Sequence, residues 1–250
     1  MNRCRLALLI PLLTILAACA AITDRASAPP VSDAAALANR CKRINETLVS
    51  SRGIGRLTFT RAGQTRHLRM AWVSALPDKL RVVLLGLDGR ALVTAAADGE
   101  GIYLRDHTSG KFHQDSPTGN RLKALLDLPL DLESLAHLLA GRLPAFDYDQ
   151  PALLVDRMPA ETGLVLKKWR NRIGKVYLDA SRPALTRIEA FRQTGEMRYQ
   201  ADIEATRQVS GYHVPRTLSI RSSQSDLLLE IERYWANEPV EPGMFRLEGE

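Results

Sequence analysis

The sequence predicts a mainly β protein of the α+β class: one N-terminal helix, then one large curved antiparallel sheet interrupted once by short leucine-rich helices. Three observations predict it. From Arg52 onward the apolar period is two instead of 3.6. Turn pairs such as Ala62-Gly63, Asp88-Gly89 and Asp98-Gly99 punctuate the alternating runs. Beyond the middle of the chain, candidate strands recur about every ten to fifteen residues with no long helix between them, which favours one sheet over strand–helix units.

The N-terminus reads as an export signal. Arg3 and Arg5 precede an apolar core from Leu6 to Leu16, broken once by Pro11, and Leu16-Ala17-Ala18-Cys19 closes it. About 14 apolar residues are too few to cross a hydrocarbon core that needs roughly 20, and an ordinary signal needs no cysteine at its cleavage point. The pattern is that of a bacterial lipoprotein, with residues 1–18 removed and Cys19 as the lipidation site. Three acyl chains at about 0.8 kcal/mol per buried CH2 anchor a protein firmly where one does not. Ala20, in place of an acidic residue, points to the outer membrane under the sorting rule known from enterobacteria. Residues 19–32, rich in Ala, Ser and Pro, form a flexible tether of at most about 40 Å. Residues 33–250 then make a single domain.

Composition narrows the function. The chain has 250 residues, and the 232 left after the signal suffice for one ordinary core. Loss of Arg3 and Arg5 takes the net charge from +6 to +4, a balance that tolerates an anionic membrane surface. Nucleic acid is no partner on the far side of the membrane. Cys4 leaves with the signal and Cys19 is blocked, so Cys41 stands alone and no internal disulfide forms. Cys41 shares one helical face with Leu37, Ile44 and Leu48, which makes it a buried, inert thiol.

In chain order, Asp33 caps a helix that runs to about residue 50. Residues 53–60 alternate Ile54, Leu57 and Phe59 with polar positions, residues 61–64 turn, and the return strand carries Leu68, Met70 and Trp72 on one face. Gly53-Ile54-Gly55 marks a bend or bulge. After a turn at Pro77-Asp78, residues 80–87 are nearly all apolar, so this strand is covered on both faces or looks into a cavity. Strands follow over 91–97, 101–107 and 111–115. Residues 120–126, with Leu122, Leu125 and Leu126 on one face, form a short helix. Asp131 caps a second one bearing Leu132, Leu135, Leu138 and Leu139, and Gly141 stops it. Helices so rich in leucine need a large apolar surface, and the concave side of the sheet offers one. Strands resume over 153–155, 163–169, 175–178, 185–191, 197–205, 214–221 and 227–235, with no internal repeat.

The stretch Pro77-Asp78-Lys79-Leu80-Arg81-Val82-Val83-Leu84-Leu85-Gly86-Leu87-Asp88-Gly89 resembles a segment of the LolA/LolB superfamily of lipoprotein-localisation factors. Ala97-Asp98-Gly99-Glu100-Gly101-Ile102-Tyr103-Leu104 and Leu138-Leu139-Ala140-Gly141-Arg142-Leu143-Pro144 are similar to the same group, especially to its uncharacterised lipoproteins of the DUF4292 type. The likeness spans roughly residues 50–145. It implies an incomplete antiparallel β-barrel, plugged on its concave side by helices, around an apolar cavity that accepts acyl chains. In the superfamily's outer-membrane receptor a protruding loop carries an exposed leucine. Aligning Gly89 with that loop's glycine puts Asp88 at the leucine position and Leu87 one place before it, so Leu87 and Asp88 mark the candidate membrane-insertion loop.

The residues alone reach a similar place. Met70, Trp72, Leu80, Val82, Leu84, Leu122, Leu125, Leu135 and Leu138 either line an acyl cavity or are ordinary core of a closed domain. No nucleophile elbow, HExxH, P-loop or CxxC motif is present, so no enzyme and no cofactor is expected. His107 and His113, with Asp106 and Asp115, flank a hairpin turn; such residues commonly serve solubility there, and no metal site is expected. Asp147 and Asp149 bracket Tyr148 without the context of an acid–base pair. Arg52, Arg56, Arg61, Arg66 and Arg69 crowd the first two strands, the parity of Arg56 opposing that of Leu57 and Phe59, and serve either as the wet side of the sheet or to meet headgroups or an acidic partner. The expected protein is an outer-membrane lipoprotein, on the periplasmic face, that binds lipid or acylated protein and exchanges it with a periplasmic carrier. The alternative is a non-enzymatic structural or assembly lipoprotein of an envelope complex.

Overall fold

The computed structural model describes residues 31–116, 130–154, 161–179 and 181–249. The signal peptide, Cys19, most of the tether and the expected helix with Leu122 and Leu125 lie outside the described residues.

The first helix, α1, spans Val31–Arg43, ending well before the residue 50 that periodicity suggests. Asn45 stops it. This residue adopts a left-handed φ of 51°, and its amide donates to the carbonyls of Ala140 and His213 at 2.9 and 2.8 Å while accepting from the His213 N–H. Asn tolerates that conformation better than most residues. Cys41, Ile44 and Leu48 are buried as their spacing predicts, although Ile44 sits in the turn after the helix and Leu48 just beyond it. Burial pushes the Cys41 thiol up to about 12, which makes it inert at neutral pH.

Six strands follow in a meander: β1 (Ser50–Arg61), β2 (Gln64–Ala75), β3 (Lys79–Leu85), β4 (Ala91–Asp98), β5 (Ile102–Asp106) and β6 (Phe112–Asp115). Helix α2 (Leu132–Leu139) comes next. Seven more strands complete the sheet: β7 (Gln150–Leu154), β8 (Glu161–Lys168), β9 (Asn171–Asp179), β10 (Leu185–Phe191), β11 (Met197–Val209), β12 (Tyr212–Arg221) and β13 (Ser225–Ala236). All pair antiparallel with sequence neighbours, except that β13 also pairs with β1. That single long-range pairing fuses two meanders into one 13-stranded sheet whose edges are β6 and β7. The sheet does not close, so the barrel is incomplete, and α2 lies on the stretch of chain that connects its two edges.

Inward-facing residues alternate along each strand. Their register stacks Leu57 beside Leu68 and Leu229, Met70 beside Leu84, and Val82 beside Trp72 and Ala95. A bulge between Ile54 and Gly55 sits where the glycines predict a bend. A Cβ on Gly55 would stand 2.4 Å from the Glu230 carbonyl oxygen, so only glycine lets β13 approach there.

The apolar run over β3 is covered on both faces. Leu80 and Val82 face the core under α2. On the other side a 3-10 turn, Pro242–Phe245, packs against β3 and β4. Arg81 Nη1 donates to the Met244 carbonyl at 3.2 Å, Arg105 donates to the Glu248 carbonyl, and Phe245 is 1% exposed. The chain's last residues thus shield the outer face of β3–β5, which explains why Ala95, Ala96 and Ala97, and Ile102, Tyr103 and Leu104, are all buried without alternation.

Helix α2 is too short to persist alone. Seven of its eight residues are buried, and four buried leucines at about 1.5–3 kcal/mol each supply its stability. Asp131 caps it, accepting from the Ser134 N–H at 2.7 Å and pairing with Arg198 of β11 at 3.0 Å. Gly141, at φ 65°, ends it where the sequence predicts, and a Cβ there would stand 2.8 Å from the His213 carbonyl oxygen.

Candidate functional site

Between α2 and the sheet lies a cavity of about 80 Å³. Its floor is Leu57 of β1, Met70 of β2, Val82 of β3, Ala95 of β4 and Leu227 of β13, all buried. Leu132 and Leu135 of α2 roof it. Phe59, Leu68, Leu84 and Val93, each only half-buried, complete the lining. Those four stand toward one end of the sheet, because Phe59 pairs with Arg66, Leu68 with Leu57, and Leu84 with both Met70 and Val93. The cavity therefore opens at that end. Among the described residues no charged or hydroxyl-bearing side chain lines it, so an apolar guest meets no desolvated polar group there.

Of the expected lining residues, Met70, Val82, Leu84 and Leu135 are at the cavity. Leu122 and Leu125 fall outside the described residues. Trp72, Leu80 and Leu138 are buried in the core and are not among the residues that line this cavity. The Trp72 indole lies over Gly53, where a Cβ would come within 2.1 Å of two ring carbons. Its Nε1 donates to Ser51 Oγ at 3.2 Å, and its ring packs on Tyr234 at 5.9 Å between centroids. Leu57, Phe59, Leu68, Val93, Ala95, Leu132 and Leu227 line the cavity without having been singled out. The parity of Leu57, Phe59 and Leu68 pointed inward in the sequence, whereas Leu227 enters only through the β1–β13 pairing.

The β3–β4 turn projects at the open end. Leu87 at its tip is 88% exposed. Asp88 folds back on the turn instead, accepting from the Arg90 N–H at 3.1 Å and facing the Arg90 guanidinium at 3.6 Å, while Gly89 takes φ 80°. The outward apolar residue of this loop is thus Leu87.

Three ionisable groups at α2 have altered environments; burial, then the Asp131 and Asp78 charges, raise the Glu133 carboxyl. Burial works to raise the Asp131 carboxyl, but its bonds from Ser134 and Arg198 outweigh this and hold it below the usual range. Burial, then the Arg142 charge, pushes the His137 imidazole down, and outweighs the opposing pull of the Leu143 and Pro77 backbone. His137 is neutral at pH 7.

The other polar candidates serve the fold. His107 Nε2 lies 2.8 Å from Thr94 Oγ1, and Asp106 caps its own turn through Thr108 and Ser109. No group of three or more His, Cys, Asp or Glu among the described residues is placed to hold a metal ion. Asp147 pairs with Lys168, and Asp149 accepts from the Trp169 N–H. Arg52, Arg56 and Arg69 pair with Glu238, Glu230 and Glu232 on the outer face.

No family model matches this chain, and no curated protein does. Its fold does have relatives of known structure. A DUF1329 family protein from Desulfovibrio piger superposes with a TM-score of 0.67 at 10% identity, covering 87% of this chain and 97% of that one. A LolA superfamily protein from Nitrosomonas europaea gives 0.61 at 12% identity, over 86% and 97%. A putative outer membrane lipoprotein-sorting protein domain from Vibrio parahaemolyticus gives 0.58 at 11% identity, over 86% and 97%. The chain has the LolA/LolB-like fold along nearly its whole described length.

Proposed function

We propose that this chain is a lipid-anchored envelope protein, held at the periplasmic face of the outer membrane through Cys19, that binds the acyl chains of lipids or lipoproteins. It receives them from a periplasmic carrier and passes them to the membrane without catalysing a reaction. The observation that carries this reading is the cavity roofed by α2, apolar in all its described lining and open at the end of the sheet that carries the exposed Leu87. The names of two fold neighbours, a LolA superfamily protein and a lipoprotein-sorting domain, are consistent with it. Leu87 enters the bilayer while Asp88 shapes the turn. A volume of 80 Å³ is several times the 10–15 Å³ that admits one water-sized group. It holds a few methylenes, so a whole acyl chain requires α2 to shift on its two anchors, Asp131–Arg198 and Asn45.

The size of the cavity also favours a second reading, a closed scaffold that binds an envelope complex through its surface. Titration with a fluorescent fatty acid separates the two. Residues 31–250 should bind the probe saturably, and Leu84→Trp should weaken binding at least tenfold, since the indole fills the mouth. Overpacking there costs about 1–3 kcal/mol, so melting curves of both proteins accompany the titration. Non-saturable binding that L84W leaves unchanged would remove the carrier reading and leave the scaffold.

A further inference from the structure

The β8–β9 hairpin carries a feature that neither the fold nor the cavity uses. Its tip reads Lys167-Lys168-Trp169-Arg170-Asn171-Arg172, with Lys168 paired to Asn171 across a two-residue turn. Trp169 occupies the first central position with φ 61°, a conformation suited to glycine and strained for a bulky side chain. Its side chain is 76% exposed. The strain is held in place from below: Asp149 accepts from the Trp169 N–H at 3.1 and 3.0 Å, and Asp147 pairs with Lys168. Lys167 and Arg170 make no ion pair among the described residues, and Arg172 stacks on Phe191 at 4.1 Å. An aromatic residue held outward at the cost of backbone strain, within a ring of cations, contributes nothing to the core.

Strand register places this tip at the cavity's open end. Phe191 pairs with Met197, Gln200 with Arg221, Arg221 with Asp226, Ser225 with Arg61, Arg61 with Gln64, and Arg69 with Leu85. The β8–β9 and β3–β4 turns therefore share one end of the sheet. So does Met197, another exposed apolar residue, whereas Trp235 lies at the opposite end.

We infer that the β8–β9 hairpin is a second membrane contact, in which Trp169 seats at the bilayer interface and Lys167, Lys168, Arg170 and Arg172 meet anionic headgroups. Tryptophan's apolar body and polar N–H suit that interface, and clustered cations are drawn to anionic lipid. Together with Leu87 it orients the domain so that the cavity mouth faces the bilayer. This inference rests on the proposed function for its purpose, but its test does not depend on acyl binding.

The full-length lipidated protein, reconstituted in vesicles of phosphatidylglycerol and brominated phosphatidylcholine, supplies that test through tryptophan fluorescence. Wild type should be quenched, and Trp169→Phe should lose most of the quenching, because Trp72 is buried and Trp235 points away from this end. Replacing phosphatidylglycerol with neutral lipid, or combining K167Q, R170Q and R172Q, should reduce quenching severalfold. Trp169→Gly should melt no lower than wild type, as expected for a side chain that the fold does not need. Absent quenching, or equal quenching in W169F, would overturn the assignment and leave an acidic protein as the partner of this tip. Fatty-acid binding measured on the same variants should be unchanged. Its loss in the wild type would bear on the cavity alone.

Discussion

At Gly53 the absence of a side chain fixes the place of another: a Cβ would stand 2.1 Å from two indole carbons of Trp72, so the ring covers β1 only because nothing projects there. The sequence shows Gly53-Ile54-Gly55 as a bend or bulge, and the bulge is real. It does not show that Trp72 is committed to Gly53, Ser51 and Tyr234, which withdraws it from the cavity. Parity tells which face a residue takes; only packing tells whether that face is filled or open. Cys19 belongs to the same scale, since its role rests on four residues, Leu16-Ala17-Ala18-Cys19. Cys19→Ser should abolish acylation and leave the precursor uncut by the lipoprotein peptidase. Metabolic labelling with an alkyne fatty acid measures this, and undiminished label on C19S would end the lipoprotein reading.

Helix α2 was legible where its ends are made by its own residues and α1 was not, for the same physical reason. Asp131 and Gly141 are local cap signals. Asn45 ends α1 through partners 95 and 168 residues away, at Ala140 and His213, which no local pattern announces. Two of the ionisable groups at α2, His137 and Asp131, make its seating sensitive to acid in two windows, while the Glu133 carboxyl, raised by burial and by Asp131 and Asp78, works against the second. His137 is pushed down by burial and by Arg142. The unfolded chain therefore takes up a proton near the ordinary value of about 6.5 while the folded one resists, and stability falls below that pH. Asp131 is held low despite burial; its contribution is complete above about pH 4 and is lost as pH falls through its folded value. In melting curves from pH 8 to 3, His137→Leu should remove the first decline relative to wild type. Asp131→Asn should remove the second while keeping the cap, since Asn caps a helix about as well as Asp; what it loses at pH 7 is the ion pair with Arg198. Parallel pH profiles for wild type and H137L would contradict this account of α2.

The whole molecule is two meanders joined by one pairing, β1 with β13, and that pairing puts Leu227 on the cavity floor. Hairpins were readable because each turn lies between its own strands. A pairing between strands some 170 residues apart has no such signature. Nor did the sequence reveal that the 3-10 turn near Phe245 covers β3 and β4, although the apolar excess of residues 80–87 called for a cover on both faces or a cavity. The result is a sheet whose outer face over β3–β5 is shielded by the C-terminal segment and whose inner face is covered by α2, with an apolar opening at the end that carries Leu87. Photo-crosslinking with a diazirine-bearing acyl probe tests that description most directly. The account predicts that label, competed away by unlabelled fatty acid, falls on peptides holding Phe59, Leu68, Leu84 and Leu135. Label confined to the outer face of the sheet, or not reduced by competitor, would contradict it.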